Sequence, residues 1–318
     1  MQSDCSRRVV PAEAKETQWF APDGWAIRRI DWPTPTHPRG AILFLPGRGD
    51  FYEKYLETLS YWHSRDWAVT ALDWRGQAGS GRLGVDSVTG HIDNFGQWIN
   101  DLAAFWPAWQ ATAPGPHVLA GHSMGGHLVL RAVAEGKVVP DALVLSAPML
   151  GLITHGLPIA PFDLAARAMC ALGDPRRPAW KWSEKPGELP ADRSILLTHD
   201  SGRYSDELYW RETRGELLMG PASWGWVRAG IASMRGLDRR EVLARVTIPV
   251  CIVATAADEL VGIAAIDRAA RWLPQAEYHR FGPEARHEIL READPVRDRA
   301  LAAIDGFLDR VAPAAGGA

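Results

Sequence analysis

Cysteine is scarce in this chain. Cys5, Cys170 and Cys251 are the three present in 318 residues. An odd, scattered set excludes a disulfide framework and offers no metal-ligand spacing. Such usage fits a reducing compartment. Neither sign of charge is in excess: 35 Lys and Arg stand against 38 Asp and Glu, a formal net charge of −3. The basic footprint that a nucleic-acid partner requires is missing. Long hydrophobic runs are missing too. The most apolar region, 149–172, is broken by His155, Pro158, Pro161, Asp163 and Arg167, too often for a membrane-spanning helix. The N-terminus carries no apolar stretch after its charges, so no signal peptide is expected and a cytoplasmic location is. No internal repeat is found, and low complexity is confined to the tail APAAGGA, expected to be disordered.

What is present is ordinary globular composition, 47% hydrophobic and 23% charged, with an unusual 15 tryptophans. The length suits one large domain or a core with an insertion. Residues 17–20 and 25–31 flank Ala-Pro-Asp-Gly and read as a hairpin. Residues 41–46, 67–74, 117–121, 142–148 and 249–256 are strand-like apolar runs, the kind buried on both faces of a sheet, and 277–282 is a further strand. Helices are expected over 52–64, from an Asp93 cap through 108, over 124–135 and near 263–272. A last helix starts at an Asp294 cap with Pro295 in its first turn, and presents Val296, Ala300, Ile304, Phe307, Leu308 and Val311 on one face. This alternation predicts an α/β fold, a mostly parallel central sheet with helices on both faces. It is interrupted over 149–238, which is rich in Pro and Trp and shows helical pieces but no buried strand. The expected organisation is a core over 1–148, a helical cap over 149–238 inserted after the sixth strand, and the rest of the core over 239–318.

Within this order, 118–128 reads VLAGHSMGGHL. Gly121 and Gly125 stand two residues either side of Ser123. This is G-x-S-x-G in a strand–turn–helix setting. The sharp turn lifts a hydroxyl above the sheet edge, and small residues at ±2 let strand and helix pack closely. The helix N-terminus sets N–H groups and the positive end of a dipole beside the hydroxyl. Ser123 is therefore the candidate nucleophile and the Met124 N–H a candidate oxyanion donor. A chance match in a glycine-rich loop is the alternative, and the flanking elements argue against it. His122 and His127 read as structural.

A serine hydroxyl needs a base. In this arrangement an acid and then a histidine follow on loops after later strands. Asp258 and Glu259 follow the strand 249–256; Asp258, nearer its end, is preferred. His287, in PEARHEIL before the last helix, is the candidate base, and His279 inside a strand is a poorer one. A second oxyanion donor is expected in the loop PGRGDFYEKY (46–55), where Gly47 and Gly49 free the backbone and the Arg48 N–H is the natural donor. The Arg48 side chain is either a surface charge or a partner for a substrate phosphate or carboxylate. Asp73 and Arg75 read as a structural salt bridge of their loop.

With these residues assembled, the chain resembles the α/β-hydrolase superfamily. Within it, the chain is similar to the bacterial lysophospholipase and monoacylglycerol lipase-like branch, the serine aminopeptidase S33 or Hydrolase_4 group. The resemblance runs from about residue 17 to 308. It is carried by PGRGDFYEKY, LDWRGQAGSG, GHSMGG, ATAADELV and ARHEILRE, with ILLTHDSGRY and GPASWGWVRAG resembling the branch's lid. It implies the α/β-hydrolase fold, Ser123 as nucleophile, Asp258 as acid, His287 as base, and Arg48 and Met124 as backbone oxyanion donors. Two departures stand out: Pro46-Gly47 where the family often has His-Gly, and Ala257 where glycine is common.

The expected reaction is hydrolysis of a carboxylic ester through an acyl-serine, by a lysophospholipase or monoacylglycerol lipase, with no cofactor or metal. An apolar cap over the serine, with Trp180, Trp182, Trp210, Trp224 and Trp226 beside Leu150, Leu152, Ile153, Leu157, Ile159 and Phe162, suits a small-molecule ester with one acyl chain. Most of these residues are expected to pack cap onto core. The stretch 149–172 is a candidate for transient contact with a membrane surface, a buried cap helix being the favoured alternative. A short-chain carboxylesterase is a rival reading. A proline-iminopeptidase-like enzyme is another; Glu184, Glu188, Asp206, Glu207 and Glu212 are its candidate amine partners. Ser123 argues against dehalogenase or epoxide hydrolase chemistry, which needs a carboxylate at the elbow. A non-catalytic binding module has no reason to keep all three side chains.

Overall fold

The computed structural model describes residues 7–153, 158–181 and 191–313. The chain opens with β1 (Lys15–Phe20) and β2 (Ala26–Asp31). The turn between them closes with the Ala21 N–H donating to the Trp25 carbonyl, and Gly24 takes a φ of 82°. Then come β3 (Gly40–Leu45), α1 (Leu56–His63), β4 (Trp67–Leu72), α2 (Gly96–Thr112), β5 (His117–His122), α3 (Met124–Ala134) and β6 (Ala142–Ser146). Among the described residues, the helices α4 (Ile159–Ala171), α5 (Ala191–Leu197), α6 (Ser201–Thr213), α7 (Trp224–Leu237) and α8 (Arg240–Leu243) follow. The chain then completes β7 (Val250–Thr255), α9 (Ile263–Trp272), β8 (Ala276–Phe281) and α10 (Asp294–Val311).

The strands form one sheet in the order β1-β2-β4-β3-β5-β6-β7-β8. Only the β1–β2 and β2–β4 pairings are antiparallel; the rest are parallel. This is the expected mostly parallel sheet, and the helical insertion follows the sixth strand. Every residue of β3 and β4 is buried because both faces are covered. Leu43 and Leu45 pack on the side that holds α2, α3 and α9, whereas Ile42 and Phe44 pack on the side of α1 and α10. Each such side chain contributes about 1.5–3 kcal/mol by leaving water. The parallel strands all point their C-terminal ends the same way, and the loops there carry the residues singled out above.

Three local expectations fail. Asp93 does not cap α2. The helix begins at Gly96, too far on for Asp93, and the Asn94 side chain accepts from the Gly96 N–H at 2.8 Å while Asp93 faces His91. Asp294 is the first residue of α10 rather than its cap, because its carboxylate is taken by Arg203 at 2.6 Å. Residues 52–64 divide into a 3₁₀ turn, Tyr52–Tyr55, and α1. A fourth concerns the insertion. The favoured reading of its first apolar stretch is a buried helix, yet α4 buries only Asp163 and Ala166. Asp163 pairs with Arg235 of α7 and with Arg167, which fixes α4 by its polar side. Leu164 and Leu172 are left 69% and 81% exposed.

Candidate active site

Ser123 stands between β5 and α3 with φ 52° and ψ −116°. A non-glycine residue held there stores strain on the order of 1–3 kcal/mol. The surroundings impose it. The Ser123 N–H donates to Ser146 O at 2.9 Å, and Ser123 O accepts from Met149 N at 2.9 Å and His127 N at 3.0 Å. The flanking glycines are sterically required. A Cβ on Gly121 would sit 2.7 Å from the backbone of Gly125 and Gly126, and one on Gly125 would sit 2.2 Å from Leu45 O. Met124 opens α3, so its N–H has no acceptor within the helix.

The base arrives from the loop after β8. His287 Nε2 is 2.9 Å from Ser123 Oγ, and His287 Nδ1 is 2.7 Å from Asp258 Oδ2. Asp258, after β7, uses its other oxygen to accept from the N–H groups of Leu260 at 2.8 Å and Val261 at 3.0 Å. Burial opposes charge on Asp258, but His287 and these backbone donors together hold its carboxyl below the usual range. Burial likewise opposes charge on His287, yet Asp258 outweighs it and raises the imidazole above its ordinary value, helped by Glu288 and Asp50. The sequence-selected Ser123, Asp258 and His287 are thus brought into one hydrogen-bonded line. Glu259 is exposed, with Arg286 at 3.5 Å, and His279 pairs with Glu277 at 2.7 Å; neither joins the line. Asp73 and Arg75 are structural but not each other's partners. Arg28 takes Asp73, while Asp101 and Asp23 take Arg75.

The loop after β3 lies against the serine. A Cβ on Gly47 would be 3.1 Å from Ser123 Cβ. Asp50 Oδ2 accepts from the Gly47 N–H at 3.1 Å, Gln77 accepts from the Gly49 N–H at 2.8 Å, and Trp74 Nε1 donates to Pro46 O at 2.9 Å. These bonds fix the loop although Pro46 replaces the family's histidine. Behind it lies a cluster that sequence reasoning missed. The buried Lys54 ammonium contacts Asp50 at 2.5 Å, Glu288 at 2.6 Å and Glu207 of α6 at 2.9 Å. Arg291 pairs with Glu288, and Arg211 with Glu207 at 2.6 Å. Burial opposes charge on both Lys54 and Asp50. The three carboxylates nevertheless raise Lys54, and Lys54 with His122 holds Asp50 well below its ordinary value. One ionic cluster therefore ties together the loop after β3, the insertion and the loop that carries His287. The spacing of Asp50 and Lys54 hints at their pairing, but nothing in the sequence brings Glu207 or Glu288 to them.

His122 belongs to this cluster, with Nδ1 2.9 Å from Asp50 and 2.8 Å from Tyr55 Oη. His127 is buried against Ser233 at 2.6 Å, and burial lowers its pKa to about 3. Both are structural, as expected, although His122 also reaches the cavity wall.

That cavity, of about 640 Å³, opens over Ser123 and His287. The insertion contributes Met149, Leu152, Trp180, Arg193, Leu196, Leu197, Met219 and Trp226 to its wall, and the core adds Arg48 and Val261. Of the tryptophans expected over the site, Trp180 and Trp226 line it, Trp210 is buried elsewhere against the backbone of Arg7, and Trp224 lies off the cavity. Trp182, Leu157, Glu184 and Glu188 lie outside the described residues. Asp206 is taken by Arg7 and Arg8, Glu207 by the Lys54 cluster, and Glu212 is exposed; none of the three lines the cavity. Among the described residues no group of His, Cys, Asp or Glu is arranged to hold a metal ion, and no helix is long and apolar enough to cross a membrane.

The sheet order, the strained serine turn and the insertion after β6 define an α/β-hydrolase. The family model for serine aminopeptidase S33 (Hydrolase_4) matches residues 36–294, and the chain belongs to that family. It is 30% identical to lysophospholipase L2 of Escherichia coli over 315 residues, covering 93% of this chain and 87% of that protein. A probable lysophospholipase L2 of Haemophilus influenzae is 24% identical, over 85% and 84% of the two chains. The fold is shared with a soluble variant of monoglyceride lipase from Saccharomyces cerevisiae, solved with a substrate analogue, at TM-score 0.73 and 19% identity over 96% of each chain. These likenesses set the chain in the lysophospholipase and monoacylglycerol lipase-like branch.

Proposed function

We propose that this ester hydrolase cleaves the carboxylic ester of a monoacyl lipid through an acyl-enzyme on Ser123. The observation that carries the reading is the line Ser123 Oγ–His287 Nε2–Asp258 at the floor of the cavity. Ser123 Oγ attacks the acyl carbonyl carbon while His287 Nε2 takes the hydroxyl proton. The oxyanion forms beside the N–H groups of Met124 and Arg48. Collapse expels the alcohol, which leaves with the proton from His287. Water then repeats the attack on the acyl-serine, and the free acid departs. Asp258 holds the imidazole tautomer and stabilises the imidazolium.

The monoacyl preference is supported by the similarity to lysophospholipase L2 and by the apolar side chains Leu152, Leu196, Leu197, Met219 and Val261 on the cavity wall. We assign residues 149–238 as the cap. A peptidase would need a carboxylate for the substrate amine. Asp50 and Glu288 line the cavity, but Lys54 already engages both. The exposed apolar side chains of α4 support peripheral contact with a lipid surface from a cytoplasmic location. A fluorophosphonate probe tests the core of the reading. Mass spectrometry is expected to find it on Ser123, and labelling of an intact protein at some other residue would reject the mechanism. A panel of monoacylglycerols, lysophosphatidylcholines, short aryl esters and a prolyl amide then ranks the substrates.

A further inference from the structure

A second cavity, of about 620 Å³, opens where α4 and α7 of the insertion meet α3, α8 and the segment before α2. It shares no lining residue with the cavity over Ser123. Arg131, Arg167, Arg228, Arg239 and Arg245 line it, against the carboxylates Asp93 and Glu135. Three of these arginines are engaged. Arg131 holds Glu135 at 2.6 Å and donates to Ser233 Oγ at 2.9 Å. Arg167 holds Asp163 at 3.1 Å, a carboxylate that Arg235 also takes, and Arg239 has Glu241 at 3.8 Å. Asp93 lies 3.3 Å from His91. Among the described residues no carboxylate is in ion-pair range of Arg228 or Arg245, so these two charges are left over after every pairing. Much of the remaining lining is apolar, with Ala171, Ala229, Leu237 and Val242. The α7 face is narrow here. A Cβ on Gly236 would meet nothing within 4 Å, which leaves room for a guest.

We propose that this groove is a second ligand site, which binds a single-chain fatty acid as its carboxylate. Arg228 and Arg245 take the carboxylate, and the chain lies on the apolar lining beside Leu237 and Val242. A guanidinium fork matches the two oxygens of a carboxylate. Apolar lining beside it favours an anion that carries a chain over a small hydrated one. A neutral alcohol or a short acid each offers half of what the groove presents. Ester hydrolysis at Ser123 releases such an acid, so the groove is assigned to the product. Only that assignment rests on the hydrolase reading; the binding itself does not.

Cys170 lines the groove and is half-buried, so its modification by N-ethylmaleimide reports occupancy there. Peptide mass spectrometry reads it apart from Cys5 and from the buried Cys251. In the Ser123→Ala protein, decanoate below its micellar concentration is expected to slow the modification roughly fivefold at about four times its Kd. Decanol and acetate at the same concentration should have little effect. The Arg228→Gln/Arg245→Gln double variant should lose the protection, and Arg228→Lys/Arg245→Lys should regain part of it. Calorimetric titration of decanoate is the parallel measurement and should lose the same binding component in the Gln pair. An unchanged rate with decanoate, equal protection by decanol, or protection that survives the Gln pair would overturn the site. A second arm finds the source. Wild-type protein given monodecanoylglycerol should gain the protection as acid accumulates, and Ser123→Ala should not. Hydrolysis without protection would overturn the assignment to the product. Protection by added decanoate, with no monoacyl ester hydrolysed by the wild type, would sink the hydrolase reading and leave the groove standing.

Discussion

On the core side of the cavity, Ser123 and His287 are held by directional bonds. A backbone carbonyl fixes the serine, Asp258 fixes the imidazole, and the Lys54 cluster backs the loop between them. On the insertion side, Leu196, Met219 and Trp226 meet the same space mainly as shape. The first wall tolerates little, because its polar atoms are held in place by specific, directional partners. The second can be reshaped by one side chain and still close over a ligand. The reacting groups therefore come from the core, and much of the cavity's shape from the insertion.

Substitutions can break this division, and their expected effects fall in order. Ser123→Ala should lower kcat by roughly 10⁴-fold or more with the fold intact, since the residues of such a line act as a unit. Esterase assays with circular dichroism check it, and a near-normal rate would refute the division at its root. Asp258→Asn should cost about 10³–10⁴-fold and also move the pH profile. Neutral His287 is the base, so activity rises with pH through its pKa. That pKa is raised, so the acid limb should lie above the ordinary histidine value of about 6.5. Removing the carboxylate charge should shift the limb to lower pH; a limb that stays put would show that Asp258 does not tune the base.

Lys54→Met tests the backing rather than the wall. It leaves three carboxylates sharing fewer cations, and loss of one member of a buried pair costs about 3–5 kcal/mol. Chemical denaturation is the measurement, and the Lys54→Met/Asp50→Asn double variant should lose less than the sum of the single changes. Leu196→Ala should raise KM for long acyl chains by about 2- to 10-fold, at about 0.8 kcal/mol per unburied methylene, and leave short aryl esters unaffected. A uniform fall across chain lengths would place Leu196 in the chemistry instead. Leu164→Glu should touch neither wall and lower only sedimentation with anionic vesicles; unchanged sedimentation would remove α4 as a contact.

The same division explains what could be read in advance. Ser123 is legible because the elbow is a local solution: its glycines are required by contacts within a few residues and with one neighbouring strand. Asp258 and His287 are legible because a parallel sheet delivers its loops to one end. Lys54 and Glu207 are not, because a lysine and a glutamate in helical stretches look like solvated faces until tertiary packing buries them together. Trp180 and Trp226 could not be told from Trp210 for a related reason. All are tryptophans of the insertion, and only the docking of its helices decides which ring meets the cavity. Asp93 shows the limit at short range, where a competing Asn94 two residues before the helix carries the local bond.

The insertion is also joined to the base itself. Glu288 N donates to Leu197 O at 2.8 Å, and Thr198 Oγ1 donates to Arg291 O at 2.8 Å, on either side of the turn that follows His287. These two bonds make the insertion a brace for the loop that carries the base, so the place of the imidazole is set from above the sheet as well as from within it.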